Sequence, residues 1–230
     1  MATNSIYMNN MKRYDVFLLW HQGFMTQFFA PCPLFSTDKY RRRPIVWDLL
    51  YGRYNDIEFP LICQQKKGYG GKKFTDFLNT GYPNFYPISD NVLNLLVENN
   101  ITGWKTYPIK VYDKFGSEIP GYHGLSITGR CKDVDLSLLN EKVDYQYIKD
   151  GPVYQYYKGF PLDLSTWDGS DMFLLSGTAY HFCTRKVYDI FKKNKISNIV
   201  YENVMDHIVK EDTEELFRTN SFKNKECYNW

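Results

Sequence analysis

The clearest feature of the hydrophobic pattern is a segment that occurs twice along the chain. Residues 89–107 (SDNVLNLLVENNITGWKTY) align with residues 184–202 (TRKVYDIFKKNKISNIVYE) after a shift of 95 positions, which superposes Val92 on Val187 and Ile101 on Ile196. In both copies apolar residues recur at the spacing of one helix face, and a β-prone stretch follows. Each copy therefore predicts a helix that leads into a strand.

The predicted helices cover residues 89–100 and 184–195. Ser89 and Thr184 are expected N-caps, because their hydroxyls can accept a hydrogen bond from a free amide of the first helical turn. Two units are too few for a solenoid, which buries its faces by stacking many repeats. Two explanations stay open: duplication of one unit, or convergence on a common helix-strand pattern.

The remaining pattern predicts mainly strands. Residues 14–20 (YDVFLLW) are apolar and β-prone, which is typical of a buried strand, whereas the prolines of residues 24–60 predict irregular structure. Further strands are expected at residues 104–112, 122–130, 173–183 and 198–204, strand-rich structure at 145–164, and a last helix at 206–217.

These elements predict an α+β fold: a mixed, mostly antiparallel sheet with a few packed helices and two similar helix-strand units. The 230 residues, 43% of them hydrophobic, fit a single domain over residues 12–217. Within it we distinguish an irregular, proline-rich N-terminal lobe (12–86) and a helix-strand C-terminal lobe (87–217). Residues 1–11 and 218–230 are expected to be loose termini.

Composition narrows the functional class. A net charge of +2 is too close to neutral for a nucleic-acid-binding domain, in spite of local basic runs and an acidic stretch at 202–215. The five cysteines are odd in number and form no CxxC pair, which predicts reduced thiols. No signal-peptide pattern and no membrane-spanning apolar run is present, so we expect a cytoplasmic protein.

Lysine-flanked glycines at residues 66–73 (KKGYGGKK) raise the question of a phosphate site, because glycine amides can surround an anion. The glycine, lysine and hydroxyl order of a P-loop is absent, and Lys73 stands where a GxGxxG motif requires glycine. The sequence favours an exposed loop.

His181 and Cys183 lie two positions apart in a predicted strand, so their side chains are expected on one face. Zinc requires three or four such ligands, and a reactive thiolate requires a neighbouring base, cation or helix terminus. The chain has only four histidines, and apart from the helix start at Thr184 nothing identifies a partner. Ordinary packing is favoured, with a metal ligand or nucleophile role as the alternative.

Carboxylates are concentrated around Trp167 at residues 163–171 (DLSTWDGSD). This segment lacks the ligand spacing and terminal glutamate of an EF-hand loop. A turn whose aspartates accept hydrogen bonds from local amides explains it. The alternative is a contact patch for a protein partner.

The C-terminal half resembles a family of bacterial immunity proteins. The order of elements, the ITGW entry to a strand, the WDGSD turn and the KISNIVYENV segment are similar to the eleventh immunity family predicted for polymorphic toxin systems, formerly a domain of unknown function. The resemblance covers residues 89–111 and 167–204. It implies a cytoplasmic protein that binds and neutralises a cognate toxin domain, and it implies no cofactor, metal or catalytic residue.

We therefore expect a non-catalytic immunity protein whose partner is a toxin domain, without a nucleic-acid or membrane partner. The residues expected to contact this partner are Trp167, Asp168, Asp171, Glu211 and Asp212. One alternative is an enzyme of unrecognised class that uses His181 or Cys183 in a cleft between the lobes. The other is a scaffold protein that assembles with itself.

Overall fold

The structure is a computed structural model that describes residues 12–21, 26–32, 42–55, 57–82 and 84–219, without the side chains of residues 42–44 and 211. Over these residues the chain adopts an α+β fold with mostly antiparallel strand pairing, as predicted. The helices are α1 (Arg42–Tyr51), α2 (Asp90–Glu98), α3 (Arg185–Lys193) and α4 (Glu211–Arg218). The strands are β1 (Val16–His21), β2 (Leu61–Gln64), β3 (Tyr86–Ser89), β4 (Trp104–Tyr107), β5 (Ile109–Tyr112), β6 (Glu118–Ile119), β7 (Tyr122–Ile127), β8 (Gly129–Cys131), β9 (Glu141–Tyr145), β10 (Tyr154–Lys158), β11 (Met172–Leu175), β12 (His181–Thr184), β13 (Ile199–Asn203) and β14 (Ile208–Val209).

The strands form four sheets. The largest has the order β13-β1-β12-β11-β8, and the three smaller ones have the orders β3-β7-β4, β2-β5-β6 and β14-β10-β9. Between named strands of the described residues, only β8 with β11 and β2 with β5 pair in parallel. β1 belongs to the predicted N-terminal lobe, but it pairs with β12 and β13 near the other end of the chain. The two predicted lobes therefore share one sheet.

The two predicted helix-strand units have the same fold and the same strand register. In each unit a strand, a helix and a returning strand surround a central antiparallel strand: β3-α2-β4 around β7, and β12-α3-β13 around β1. Pro87 pairs with Gly124 as Phe182 pairs with Leu18. The returning strands follow the same rule, since Trp104 pairs with Ile127 as Ile199 pairs with His21. The central strand follows its unit in the first case and precedes it in the second.

The two units are also equivalent in the hydrogen bonds and the backbone conformation at the C-terminal ends of α2 and α3. The side-chain amides of Asn99 and Asn194 each donate to a carbonyl four residues back, at 2.8 Å in both cases. The residues that follow, Asn100 and Lys195, have left-handed φ values of 50° and 54°. At the N-termini the predicted cap is confirmed for Ser89, which accepts from the amide of Val92, but not for Thr184, whose side chain makes no such cap.

Each unit accepts hydrogen bonds from the other unit through one aspartate. The amide and hydroxyl of Ser197 donate to the Asp76 carboxylate at 2.9 and 2.7 Å, and those of Thr102 donate to Asp171 at 3.0 and 3.1 Å. Asp76 and Asp171 are equivalent positions, as are Thr102 and Ser197. Such reciprocal contacts are characteristic of a two-fold arrangement. The two units are thus related by an internal pseudo-two-fold axis.

The pKa of Asp76 reflects these contacts. Burial by itself raises the pKa of this carboxyl, but the hydrogen bonds from Ser197, Asn91 and Ser89 outweigh burial and hold the pKa below its usual value. The aspartate is therefore ionised where it joins the units.

One hydrophobic core lies under both units. Val92 and Leu96 of α2 and Val187 and Phe191 of α3 are fully buried in the same cluster. Two further clusters lie beneath β8-β11 and around α1, β2 and β5. In the described part of the chain, no helix is long and apolar enough to cross a membrane.

Several predicted elements are corrected by the structure. The strand expected at 104–112 is divided into β4 and β5 at Pro108, which has no amide hydrogen for a ladder. The strand expected at 173–183 is the hairpin β11–β12, with Gly177 at a φ of 72° in its turn. Helix α1 occurs where irregular structure was expected, because Pro44 lies in the first turn, where a missing amide is tolerated.

The C-terminal predictions also need adjustment. Of residues 145–164, β10 is the main strand, and 206–217 contains β14 before α4 begins at Glu211. The C-terminal end predicted to be loose began at residue 218, but Arg218 is the last residue of α4 and Thr219 caps this helix. Residues 1–11 and 220–230 lie outside the described residues, as does Cys227.

Candidate functional site

A recess of about 350 Å³ lies at the junction of the two units and contains three of the four histidines of the chain. His21 ends β1, His181 begins β12, and His207 lies just before β14. The aromatic residues Trp20, Tyr86 and Tyr180 complete much of its wall. The volume is within the range of small-molecule sites.

Tyr86 and His181 occupy equivalent positions in the two units and contact each other at the pseudo-two-fold axis. The Tyr86 hydroxyl lies 2.8 Å from His181 Nε2, and His181 Nδ1 lies 2.8 Å from the carbonyl oxygen of Ala179. Because a carbonyl oxygen accepts only, Nδ1 carries the proton and Nε2 accepts from the tyrosine. The arrangement requires a neutral imidazole.

Burial reinforces this neutral state. The pKa of His181 is lowered to about 4, mainly because burial disfavours the imidazolium, and burial raises the pKa of Tyr86. A general base works best with a pKa near the working pH, and a nucleophilic tyrosine needs a lowered pKa. The pair is therefore suited to hydrogen bonding rather than to proton transfer at neutral pH.

His21 and His207 present less constrained imidazoles. His21 packs edge-on against the Tyr86 ring at 5.6 Å, and burial lowers the pKa of His21. Among the described residues, its ring nitrogens have no hydrogen-bond partner. His207 Nδ1 lies 2.8 Å from the Glu202 carboxylate, and its ring lies 5.4 Å from that of Phe160.

Cys183, predicted on the same strand face as His181, belongs to the first hydrophobic core and not to the recess. Burial raises the pKa of its thiol, which opposes thiolate formation. Within the described ranges, no three histidine, cysteine, aspartate or glutamate side chains are grouped as metal ligands. Of the predicted pair, only His181 contributes to a candidate site.

A second candidate surface is a group of four tyrosines on the hairpin formed by β9 and β10, which we call the tyrosine face: Tyr145, Tyr147, Tyr154 and Tyr156. Adjacent rings lie with centroids 5.1 to 5.9 Å apart. Lys210 Nζ lies 4.6 Å from the Tyr147 ring and 5.2 Å from that of Tyr145. Tyr147 is 53% exposed and Tyr154 is 41% exposed, whereas Tyr156 is buried at 8%. The solvent-exposed part of the tyrosine face is therefore formed by Tyr147 and Tyr154.

The predicted contact residues of the WDGSD turn have intramolecular roles. Trp167 is 8% exposed, packs 5.6 Å from the Phe173 ring and donates through Nε1 to the Ser170 carbonyl. The exposed Asp168 accepts from the amides of Arg130 at 2.7 Å and of Ser170 at 3.0 Å. The turn interpretation explains both side chains, and their contact with a partner stays a prediction.

The other predicted contacts lie in two places. Asp171 is largely buried between the units, where Lys186 Nζ approaches it at 3.3 Å. Asp212 is exposed in the first turn of α4 and accepts from the Thr213 amide, and the side chain of Glu211 lies outside the described part. No hydrogen bond or ion pair within the described residues joins the WDGSD turn to α4. Their contact with a partner also stays a prediction.

In the loop at 66–73, Gly70 and Gly71 are required for close packing, whereas Gly68 faces open space. The Gly71 amide donates to the Gln27 carbonyl at 2.7 Å, and a Cβ at this position would overlap the backbone of Thr26. This amide is therefore engaged within the protein and is not directed at an anion.

The chain matches no protein-family model and no curated protein. The resemblance to the immunity family therefore rests on the sequence motifs alone.

Proposed function

We propose that this protein is a non-catalytic immunity protein of the cytoplasm that binds and neutralises a cognate toxin domain. The observation that carries the proposal is the tyrosine face, in which the fold leaves Tyr147 and Tyr154 exposed. The sequence resemblance supplies the class of partner.

Tyrosine is well suited to such a surface. Its ring contributes a large contact area at a small cost in side-chain entropy, and its hydroxyl adapts to polar partners. Cross-strand pairing sets the tyrosine face in place: Tyr145 lies opposite Tyr154, and the Tyr154 and Tyr156 rings are stacked at 5.9 Å. A prearranged aromatic surface binds with little loss of conformational freedom.

Neighbouring side chains extend this surface. Ile148 and Val153 in the hairpin turn are 68% and 57% exposed. Contiguous exposed apolar area is typical of interaction sites. β9 is also the last strand of its sheet, and the charges of Glu141, Lys142 and Asp144 along it oppose unspecific strand pairing. The exposed apolar side chains and the charged edge strand together favour the binding of a specific partner at this hairpin.

The test is co-expression with the toxin domain encoded beside this protein, together with a pull-down that uses an inactive variant of that domain. We expect wild-type protein to protect cells and to form a stable complex. Exchange of Tyr147 and Tyr154 for serine is expected to weaken binding by at least tenfold, because exposed aromatic residues at an interface commonly contribute more than about 1 kcal/mol each.

Tyr69 provides a matched control. It is 55% exposed but lies in the 66–73 loop, away from the tyrosine face, so Tyr69→Ser is expected to leave binding unchanged. Equal protection by the wild type and by the double variant would exclude the tyrosine face as the contact surface. The absence of any complex with folded wild-type protein would reject the immunity function itself.

Self-assembly through the same hairpin is the scaffold alternative. Light scattering distinguishes the two, because a scaffold would show a mass that rises with concentration and falls in the double tyrosine variant. A constant monomer mass would remove the scaffold function.

A further inference from the structure

The histidine recess has features of a ligand site that are independent of the tyrosine face. Three of the four histidines of the chain, from positions 21, 181 and 207, converge on one recess. Only His181 has both ring nitrogens within hydrogen-bond distance of described protein atoms. The recess therefore contains imidazole nitrogens that can form further hydrogen bonds.

These imidazole nitrogens belong to His21 and His207. The ring nitrogens of His21 have no partner among the described residues, although the ring is largely buried against Tyr86. In His207 the contact with Glu202 engages Nδ1, and Nε2 has no partner in the described part of the chain. Partly buried polar groups without partners favour a molecule that supplies them.

The wall of the recess selects against charge. No aspartate, glutamate, lysine or arginine of the described residues lines it. A charged ligand would lose hydration there without gaining an opposite charge, which costs several kcal/mol in general. A neutral ligand avoids this cost.

The wall also favours a planar ring. Trp20, Tyr86 and Tyr180 add three aromatic rings to the imidazoles, and aromatic rings bind flat molecules by offset stacking or edge contacts. Asn84 supplies a further amide that can both donate and accept. Ring nitrogens or N–H groups on the ligand would satisfy these polar groups.

We propose that the recess between the two units binds an uncharged, planar heteroaromatic molecule of the indole or nucleobase class. Trp20 and Tyr180 contact the ring, and His21 and His207 form hydrogen bonds to its polar edge. Tyr86 and His181 form the floor and position it through their mutual hydrogen bond.

The four histidines make this testable by NMR of the imidazole groups. Indole, adenine, benzoate and cyclohexanol are titrated separately into the full chain. We expect indole or adenine to shift the His21 and His207 signals in a saturable manner. Benzoate tests the exclusion of charge and cyclohexanol tests the need for a planar ring, so both are expected to produce no saturable shift.

His123 is the internal control, because it lies outside the recess and contacts Asp90 at 2.7 Å. His21→Ala is expected to weaken binding about tenfold, as the loss of one hydrogen bond would, whereas His123→Ala leaves binding unchanged. The proposal is overturned if neither indole nor adenine shifts a recess histidine of the folded wild type at millimolar concentration. It is also overturned if all four histidines shift alike, or if benzoate binds as well as adenine.

Discussion

Acidification is expected to destabilise the protein through His181, and the size of the effect follows from the burial of this residue. His181 is 6% exposed, and its hydrogen bonds to Tyr86 and Ala179 require a neutral ring. Burial lowers its pKa from 6.5 to about 4 in the folded protein. In the unfolded chain the imidazole titrates near its ordinary value of about 6.5.

The sign of the effect follows from these two values. Between them the unfolded chain binds more protons than the folded chain, so the stability decreases as the pH falls. The stabilisation is fully present above about pH 6.5 and is lost progressively towards pH 4. The interval corresponds to roughly 3 kcal/mol, of which about 2 kcal/mol is lost by pH 5.

Urea unfolding at pH 7, 6 and 5 measures this loss. In His181→Gln, a side chain that can still donate and accept hydrogen bonds no longer titrates, so we expect the wild type to lose about 2 kcal/mol more than this variant between pH 7 and pH 5. His21, whose pKa burial also lowers, is present in both proteins, and its repulsion of a charged His181 is part of the effect that the comparison measures. His123→Ala is the control for the removal of a histidine, because this residue lies outside the recess and its replacement leaves the contacts of His181 in place.

Parallel stability losses in the wild type and in His181→Gln would refute this reasoning. An NMR titration of the wild-type imidazoles gives an independent check, since His181 must stay neutral at pH 5.

Three further predictions concern packing. Asp76→Asn and Asp171→Asn are each expected to lower the free energy of unfolding by about 1 to 3 kcal/mol in urea titrations, because each removes the charge from the contact between the units. A large loss in only one of these variants would contradict the equivalence of the two positions. Gly103→Ala should lower the melting temperature more than Gly116→Ala, because a Cβ at position 103 overlaps a backbone carbonyl whereas position 116 is open, and φ is positive at both. Burial raises the thiol pKa of Cys131 to about 11. This thiol and the other buried thiols should react with Ellman's reagent at pH 8 only when the protein unfolds, so rapid labelling of all of them in the folded state would contradict the packing.

The helix-strand units could be predicted because their signals are local. Helical spacing, an N-cap at Ser89 and the polar residues before Ile101 all lie within a short segment, and α2 and α3 form within one or two residues of the predicted bounds. The position of β1 between β12 and β13 could not be predicted in this way. Its partners lie more than 160 residues away, and no local pattern specifies such pairing.

The recess was missed for a similar reason. His181 was noticed because of its neighbour Cys183, which the fold places in the core, whereas His21 and His207 meet His181 only through the sheet. One signal was available in the sequence: the shift that aligns the helices also aligns Tyr86 with His181. Equivalent residues of two-fold-related units meet at the axis, so this alignment points to the contact at the recess.

The internal two-fold arrangement favours duplication over convergence. Convergence on a common helix-strand pattern accounts for the similar elements, but it does not account for the reciprocal contacts of Asp76 and Asp171. It also does not explain why the two units pair with their central strands in the same register, although the chain connects to these strands differently. The two equivalent positions at the axis hold different residues, Tyr86 and His181, and this difference has a chemical consequence. A hydroxyl donor faces an acceptor nitrogen, and the pair supports the wall of the recess with both groups neutral. Such a difference between equivalent positions gives a symmetric fold one asymmetric site.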